Sequence, residues 1–218
     1  MLTAVLAGTP VDTRMGVDVL SSHGLEGLPF PISKDPWRQT AFQLSSPEEK
    51  AAAVRRVLED ARAKGCGRAF VYCNSLSAAV DFPALESETA LRIVTPMEIY
   101  FRLAPRFRSL ALVAANAQGL AGIERTLYAA NPKLELLGTC LLPVVMSIEA
   151  GEDPESLTER FRLPELAEWF RLQGAEALLL GCTHFPYLKA ALAERTSLPL
   201  VDPAEEMVRA LDGAPAGR

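Results

Sequence analysis

Short apolar runs alternate with amphipathic segments along most of the chain, and this alternation restricts the possible folds more than any other feature. The runs have the length of β-strands, and each ends at a polar or glycine-containing turn. They are residues 2–7, 69–72, 109–114, 177–180 and 198–201. Repeated strand–helix–strand order is typical of an α/β fold with a mainly parallel sheet flanked by helices. Ligands of such folds bind beyond the carboxyl ends of the strands, so functional residues are expected directly after the runs.

The amphipathic segments carry helix start and stop signals, most clearly in residues 47–64. Ser46 is placed to cap this helix, Pro47 takes its first position and Glu49 completes a capping box, while Gly65 closes it. Three further helices are predicted on similar grounds, over residues 117–130, 164–172 and 186–195.

Two segments of the chain resemble each other. Residues 70–75 (FVYCNS) and 179–184 (LLGCTH) both run from an apolar strand through a cysteine to small or polar residues, about half the chain apart. Two similar lobes of parallel sheet would explain the pattern, whereas chance similarity of two short segments is the alternative. We predict one lobe from residues 1–94 plus 200–218 and a second from residues 95–199, with the active site in the cleft between them.

Composition excludes several classes of function. The net charge of −5 comes from interspersed residues without a basic run, which gives no support to nucleic-acid binding. No segment has the length needed to span a bilayer, and the N-terminus lacks the basic flank and cleavage site of a signal peptide. The four cysteines form no CxxC pair and no metal-ligand spacing. We therefore expect a cytoplasmic protein with reduced thiols, no metal site and no membrane partner.

The four cysteines fall into two groups. Cys66 and Cys140 are predicted to be buried small hydrophobic residues, the commonest situation for a cysteine. Cys73 and Cys182 each stand where a strand gives way to a helix, where backbone N–H groups can stabilise a thiolate and bind a carboxylate.

Motifs around these two cysteines resemble those of one enzyme family. GCTHFPYL at residues 181–188 resembles the second active-site motif of glutamate racemases, usually GCTHYPLL, and CNS at residues 73–75 resembles the first, usually CNT. Asp12-Thr13 with Gly16 resembles the opening DSGVGG motif, Glu149 falls where the family carries a glutamate, and Asp202 is similar to the aspartate of a closing VDS segment. The likeness spans nearly the whole chain.

The resemblance implies an isomerase that interconverts L- and D-glutamate without pyridoxal phosphate or any other cofactor. Cys73 and Cys182 would exchange protons with opposite faces of Cα. By the same resemblance Asp12 supports Cys73, while Glu149 and His184 support Cys182. The residues implied to bind substrate or stabilise its carbanion are Asp12, Thr13, Asn74, Ser75, Thr183 and His184. The resemblance further implies a homodimer and, in bacteria, a role in peptidoglycan biosynthesis.

Two departures from the family pattern concern substrate choice. The family loop PYG, which helps to hold the side-chain carboxylate, aligns with Ala41-Phe42-Gln43, and nearby Arg38 could supply a bidentate grip in its place. Arg14-Met15 replaces a small Gly-Val pair in the opening motif.

Two alternatives therefore stay open. One is a racemase of the same superfamily that acts on aspartate, a hydantoin or another acid, although aspartate racemases commonly carry an acidic residue where this chain has His184. The other is a non-catalytic binding module that has kept the cleft.

Overall fold

A computed structural model describes residues 1–211, and these residues form two compact units with one four-stranded sheet each. Among the described residues, the first unit contains Met1–Ile99 and residues 203–211, and the second contains Tyr100–Asp202. Every strand pair in both sheets is parallel. The predicted α/β architecture, with two lobes of parallel sheet flanked by helices, is confirmed.

The first sheet has the strand order β2-β1-β3-β4. Its strands are β1 (Thr3–Ala7), β2 (Gly27–Pro31), β3 (Arg68–Val71) and β4 (Arg92–Val94). The helices of this unit are α1 (Pro10–Ser22), α2 (Pro36–Leu44), α3 (Pro47–Ala63), α4 (Asn74–Ala79), α5 (Phe82–Thr89) and α12 (Ala204–Leu211). Helix α6 (Pro96–Leu103) carries the chain into the second unit.

The second sheet has the strand order β6-β5-β7-β8. Its strands are β5 (Ser109–Ala114), β6 (Glu135–Cys140), β7 (Leu178–Gly181) and β8 (Leu200–Val201). The helices of this unit are α7 (Ala117–Ala130), α8 (Leu142–Glu149), α9 (Pro154–Arg160), α10 (Leu163–Leu172) and α11 (Lys189–Ala193), with 3₁₀ turns at Ala104–Arg106 and Phe185–Leu188.

Local sequence signals explain where the helices begin. The Ser46 hydroxyl accepts from the backbone N–H of Glu49, whose carboxylate accepts in return from the N–H of Ser46, so the predicted capping box of α3 is present. Gly65 follows α3 with a φ of 88°, a left-handed conformation that glycine adopts without strain. These signals fix both ends of the longest helix independently of its packing.

The central strands form the cores of the two sheets. β1, β3, β5 and β7 are buried along their whole length, as expected for parallel strands with helices on both faces. The C-terminal helix α12 also belongs to the first core, because buried Arg68 of β3 donates to the hydroxyl of Thr3 and to the carbonyl of Leu211.

The structure differs from the sequence predictions at the lobe boundaries, at three strands, at one helix and at one cysteine. Residues 95–99, predicted in the second lobe, belong to the first unit, and residues 200–202, predicted in the first lobe, belong to the second unit, where β8 pairs with β7. The chain returns to the first unit at Pro203, and residues 212–218 lie outside the described part of the chain. Strands β2, β4 and β6 were not predicted. The helix predicted over residues 186–195 is a 3₁₀ turn followed by the shorter α11. Cys140, expected to be buried, is exposed, because it ends the edge strand β6.

Candidate active-site residues in each unit

Cys73 and Cys182 occupy equivalent positions in the two sheets. Ala114 at the end of β5 pairs with Gly181, the residue before Cys182. In the first sheet the N–H of Tyr72 donates to Leu6, which continues the β1–β3 register and brings Tyr72, the residue before Cys73, opposite the end of β1. Each cysteine therefore follows the third strand of its sheet, at the carboxyl edge where ligands bind in parallel α/β folds.

Cys182, His184 and Glu149 form a hydrogen-bonded chain in the second unit. The sulfur of Cys182 lies 3.5 Å from Nδ1 of His184, and Nε2 of the same ring lies 2.7 Å from Oε1 of Glu149. The side chains of His184 and Glu149 are only 6% and 14% exposed, so water competes little for these bonds. A carboxylate can only accept, so Nε2 carries the proton in this pair, and in the neutral ring Nδ1 is left as an acceptor for the thiol.

The segment that carries Glu149 is held by several contacts. Glu149 is the last residue of α8, and Arg160 of α9 donates to the hydroxyl of Ser147 and forms an ion pair with Glu152. The hydroxyl of Tyr187 donates to the carbonyl of Glu152. Glu149 thus belongs to an anchored helix end facing His184, rather than to a freely solvated acidic loop.

Asp12 lies in the first turn of α1, directly after β1. Its carboxylate accepts from the N–H groups of Gly8 and Thr9 and from the hydroxyl of Thr9, and it is 2% exposed. The hydroxyl of Thr13, also buried, donates to the carbonyl of Thr9. This capping box fixes a carboxylate at the carboxyl edge of the first sheet, the edge at which Cys73 follows β3.

Cys73 is the N-cap residue of α4 and is 4% exposed. Its sulfur lies 3.5 Å from the hydroxyl of Ser75, and its carbonyl accepts from the hydroxyl of Ser77. Asn74 is buried and Ser75 is half-buried. In the second unit Thr183 is buried between Cys182 and His184.

Arg38 lies on α2 with its side chain directed to solvent. The side chain is 70% exposed, and its Nε lies 3.6 Å from the carboxylate of Asp35, which caps the helix. The neighbouring residue Gln39 is buried instead, with its Oε1 accepting from the hydroxyl of Ser33. No sequence motif points to Gln39, although Gln39 and Gln43, both buried, are spaced four residues apart and so share one face of α2.

Cys66 and Cys140 lack the surroundings of a reactive thiol. Burial raises the pKa of the Cys66 thiol, and partial desolvation at the exposed end of β6 raises the pKa of the Cys140 thiol, so both stay protonated at neutral pH. Within residues 1–211 no group of three or more potential ligand side chains could hold a metal ion. No helix in the described part of the chain is long and apolar enough to cross a membrane.

Comparisons with known proteins point to one family. A family model described as Asp/Glu/Hydantoin racemase matches residues 39–211. A glutamate racemase of Limosilactobacillus reuteri is 37% identical over 144 residues, which cover 64% of this chain and 53% of that protein. The chain thus spans about half the length of this relative.

Solved structures show the same fold. A glutamate racemase of Francisella tularensis, solved in complex with D-glutamate, superposes with a TM-score of 0.74 at 17% identity, covering 97% of this chain and 79% of that one. An aspartate racemase homologue from Pyrococcus horikoshii gives a TM-score of 0.66 at 14% identity and covers 98% of both chains. At such identities the likeness establishes the architecture alone.

Proposed function

Because the chain belongs to the Asp/Glu/hydantoin racemase family, we propose that it interconverts L- and D-glutamate by a two-thiol mechanism that needs no cofactor. The observation that carries the proposal is the repeated placement of a buried cysteine after the third strand of each sheet. A binding protein has no use for two such thiols, whereas a cofactor-free two-base inversion of a carbon centre needs one acid or base on each face, and two cysteines can supply them.

The chemistry of inversion sets the requirement. A base removes the α-proton from one face of the substrate, and an acid returns a proton to the other face of the resulting carbanion. A thiolate and a thiol fill these roles and exchange them after each turnover. In the proposed reaction Cys73 serves one face and Cys182 the other.

In the proposed mechanism, His184 and Glu149 accept and hold the proton that Cys182 gives up. Nδ1 of His184 is the acceptor that faces the thiol, so proton transfer from sulfur to the ring yields a thiolate beside an imidazolium. Glu149, 2.7 Å from Nε2, compensates the positive charge of the ring. His184 and Glu149 are therefore positioning residues that act through Cys182.

On the first unit, Asp12 is proposed to support Cys73. Its carboxylate is held by three donors and lies at the same edge of the sheet as the cysteine. Asn74, Ser75 and Thr183 directly follow the two cysteines and would donate hydrogen bonds to the substrate as negative charge develops. Thr13, beside Asp12, completes the proposed set of binding residues.

Glutamate is the proposed substrate because the curated relatives are named glutamate racemases and the Francisella tularensis enzyme was solved with D-glutamate. His184 after Cys182-Thr183 agrees with this choice. The proposal includes a cytoplasmic homodimer whose D-glutamate feeds peptidoglycan synthesis.

The decisive experiment follows the α-proton. Each enantiomer of glutamate and of aspartate is incubated with the protein in D₂O, with a chelator and a carbonyl-trapping reagent present, and exchange and optical rotation are recorded. We expect deuterium incorporation and racemisation of glutamate alone. Exchange of aspartate without glutamate would reassign the substrate, and turnover that requires an added cofactor would overturn the mechanism.

A further inference from the structure

A buried amide group on α2 lacks a hydrogen-bond partner. Gln39 is 5% exposed, and its Oε1 accepts from the hydroxyl of Ser33 at 2.9 Å. Its Nε2 is buried and meets no acceptor within residues 1–211. Buried donors are nearly always paired in folded proteins, so this one needs an acceptor that is not a protein atom, such as a bound ligand or a water molecule.

The amide lies at the carboxyl edge of the first sheet. A Cβ atom added to Gly8 would be 2.9 Å from Cγ of Gln39 and 3.3 Å from its Nε2, so the amide lies directly against the Gly8 backbone. Gly8 follows β1, and its N–H donates to Asp12. Any larger residue at position 8 would displace Gln39, so the glycine provides the space that the amide occupies.

The same edge carries Cys73. Helix α2 contacts α4, whose N-cap is Cys73, and β1 pairs with β3, which leads to that cysteine. Adjacent strands lie about 4.8 Å apart, so the Gly8 backbone that the amide contacts and the residue that leads into Cys73 stand at neighbouring strand ends.

We infer that Nε2 of Gln39 donates a hydrogen bond to the side-chain carboxylate of the substrate. This inference rests on the proposed racemase function. An amino-acid substrate offers two acceptors, and its α-carboxylate is attached to the carbon that Cys73 must reach, close to Asn74 and Ser75. The side-chain carboxylate is the acceptor that extends away from Cys73, toward the end of β1. Arg38, the cation nearest in sequence, is paired with Asp35 in solvent.

Substrate length and charge both enter this contact. The hydrogen bond from Ser33 fixes the amide of Gln39, so the substrate carboxylate must extend to Nε2, since Nε2 does not move toward the substrate. Glutamate has one methylene more than aspartate and extends further across the strand spacing. The amide of Gln39 is neutral, so it can donate to the substrate side-chain carboxylate without adding another charged side chain beside Asp12.

Two substitutions of similar shape test the inference. Gln39→Met removes the donor, and Gln39→Glu replaces it with a carboxylate that repels the substrate. We expect the KM for glutamate to rise about 10- to 100-fold, as for loss of a hydrogen bond to a charged group. The kcat should stay within about threefold, the signature of binding lost equally in ground and transition states.

Glutamine provides a second readout. In Gln39→Glu the new carboxylate can accept from the amide of glutamine, so the ratio of α-proton exchange for glutamine over glutamate should rise relative to wild type. Exchange of 2-aminobutyrate, which has no side-chain carboxylate, should be the same in wild type and Gln39→Met. A merely structural effect would slow all three substrates alike and would overturn the inference.

Thr40→Val, on the same helix, is the control, since the hydroxyl of Thr40 donates to the carbonyl of Pro36 within α2. It should leave the KM for glutamate within about twofold, because that donor is already used inside the helix and none to the substrate is lost. An equal rise in KM for both variants would assign the effect to helix packing and contradict the inference. If wild-type protein exchanges no α-proton of glutamate, the proposed function is wrong and the Gln39 contact falls with it. If wild-type protein is active and both Gln39 variants keep its KM for glutamate, only the Gln39 contact is wrong.

Discussion

The two units place their cysteines by the same plan but pack the neighbouring helix in opposite ways. Gly16 and Ile123 are both the seventh residue of the helix that follows the first strand, and Tyr72 and Gly181 both precede the cysteine. A Cβ on Gly16 would lie 2.8 Å from Cβ of Tyr72, and one on Gly181 would lie 2.9 Å from Cδ1 of Ile123. The large residue is on the strand in one unit and on the helix in the other, so the helix–strand spacing is kept while the residues change.

The residues near the two thiols differ more than the helix packing does. Asp12 is the third residue of α1, and the third residue of α7 is Gly119, which has no side chain to act on Cys182. The second unit supplies its carboxylate from α8, and His184 stands between Glu149 and the thiol. The comparison shows that the two sheets place their cysteines alike, while the carboxylate assigned to each thiol in the proposed mechanism comes from a different element, α1 in the first unit and α8 in the second.

Loss of either thiol should have the largest effect. Cys73→Ala and Cys182→Ala should each lower the rate of racemisation by about 10³-fold or more, because one of the two proton transfers loses its acid or base. Optical rotation of each enantiomer of glutamate measures the effect. Cys140→Ala, at the exposed end of β6, is the control and should retain full activity. Full activity in either of the first two variants would contradict the equivalence of the two thiols.

Changing the carboxylate proposed to support each thiol should distinguish the contributions of the two units to catalysis. Glu149→Gln keeps an acceptor for His184 but removes the charge that stabilises its imidazolium form, and Asp12→Asn makes the matching change near Cys73. Each should lower kcat by about 10- to 100-fold, because proton transfer at one cysteine becomes slower.

Isotope effects reveal which transfer is affected. The enantiomers have equal free energy, so kcat/KM must fall equally in both directions and cannot show the asymmetry. The primary isotope effect with α-deuterated glutamate can show this asymmetry, because the effect grows only for the enantiomer whose deuteron is removed by the slowed cysteine. Glu149→Gln and Asp12→Asn should raise it for opposite enantiomers. A rise for the same enantiomer in both variants would show that the two carboxylates do not serve different thiols.

Replacing Gly16 or Gly181 with alanine should have the smallest effect of these changes. Gly181→Ala should lower the free energy of unfolding by about 1–3 kcal/mol, because the new Cβ meets the side chain of Leu112 and the fixed carbonyl of Val113. Gly16→Ala should cost less, since alanine gains about 1 kcal/mol over glycine within a helix and offsets part of the overpacking. Urea denaturation compares the two variants. A greater loss for Gly16→Ala would reverse the proposed difference.

Hydrophobic runs predicted the centre of each sheet better than its edges. β1, β3, β5 and β7 are buried throughout and read as continuous apolar segments. The strands that were not predicted are all edge strands, where burial is partial or the strand is short. β2 contains two prolines, β4 has three residues and β6 is largely half-buried or exposed. An edge strand needs no continuous apolar run, so periodicity alone could not find these strands.

The candidate site was predictable where its residues are adjacent in sequence. Cys73 and Cys182 follow from their position after apolar strands, and the resemblance supplied Asp12 and Glu149. The contact between Glu149 and His184 spans 35 residues, which no local pattern encodes. Arg38 was predicted from its charge, whereas its position on α2 directs it to solvent and the neighbouring Gln39 is buried. Which side of a short helix faces a sheet depends on long-range packing.

The contact between Arg68 and Leu211 has a consequence for synthesis of the chain. The first unit emerges first from the ribosome, but its buried guanidinium lacks one of its acceptors until α12 has followed. A buried charge that has lost a partner is costly, so the first unit gains its full stability only then. The second unit is uninterrupted in sequence and can close while the first still waits. Newly made chains should therefore complete the N-terminal unit last, the reverse of the usual order of domain folding during translation.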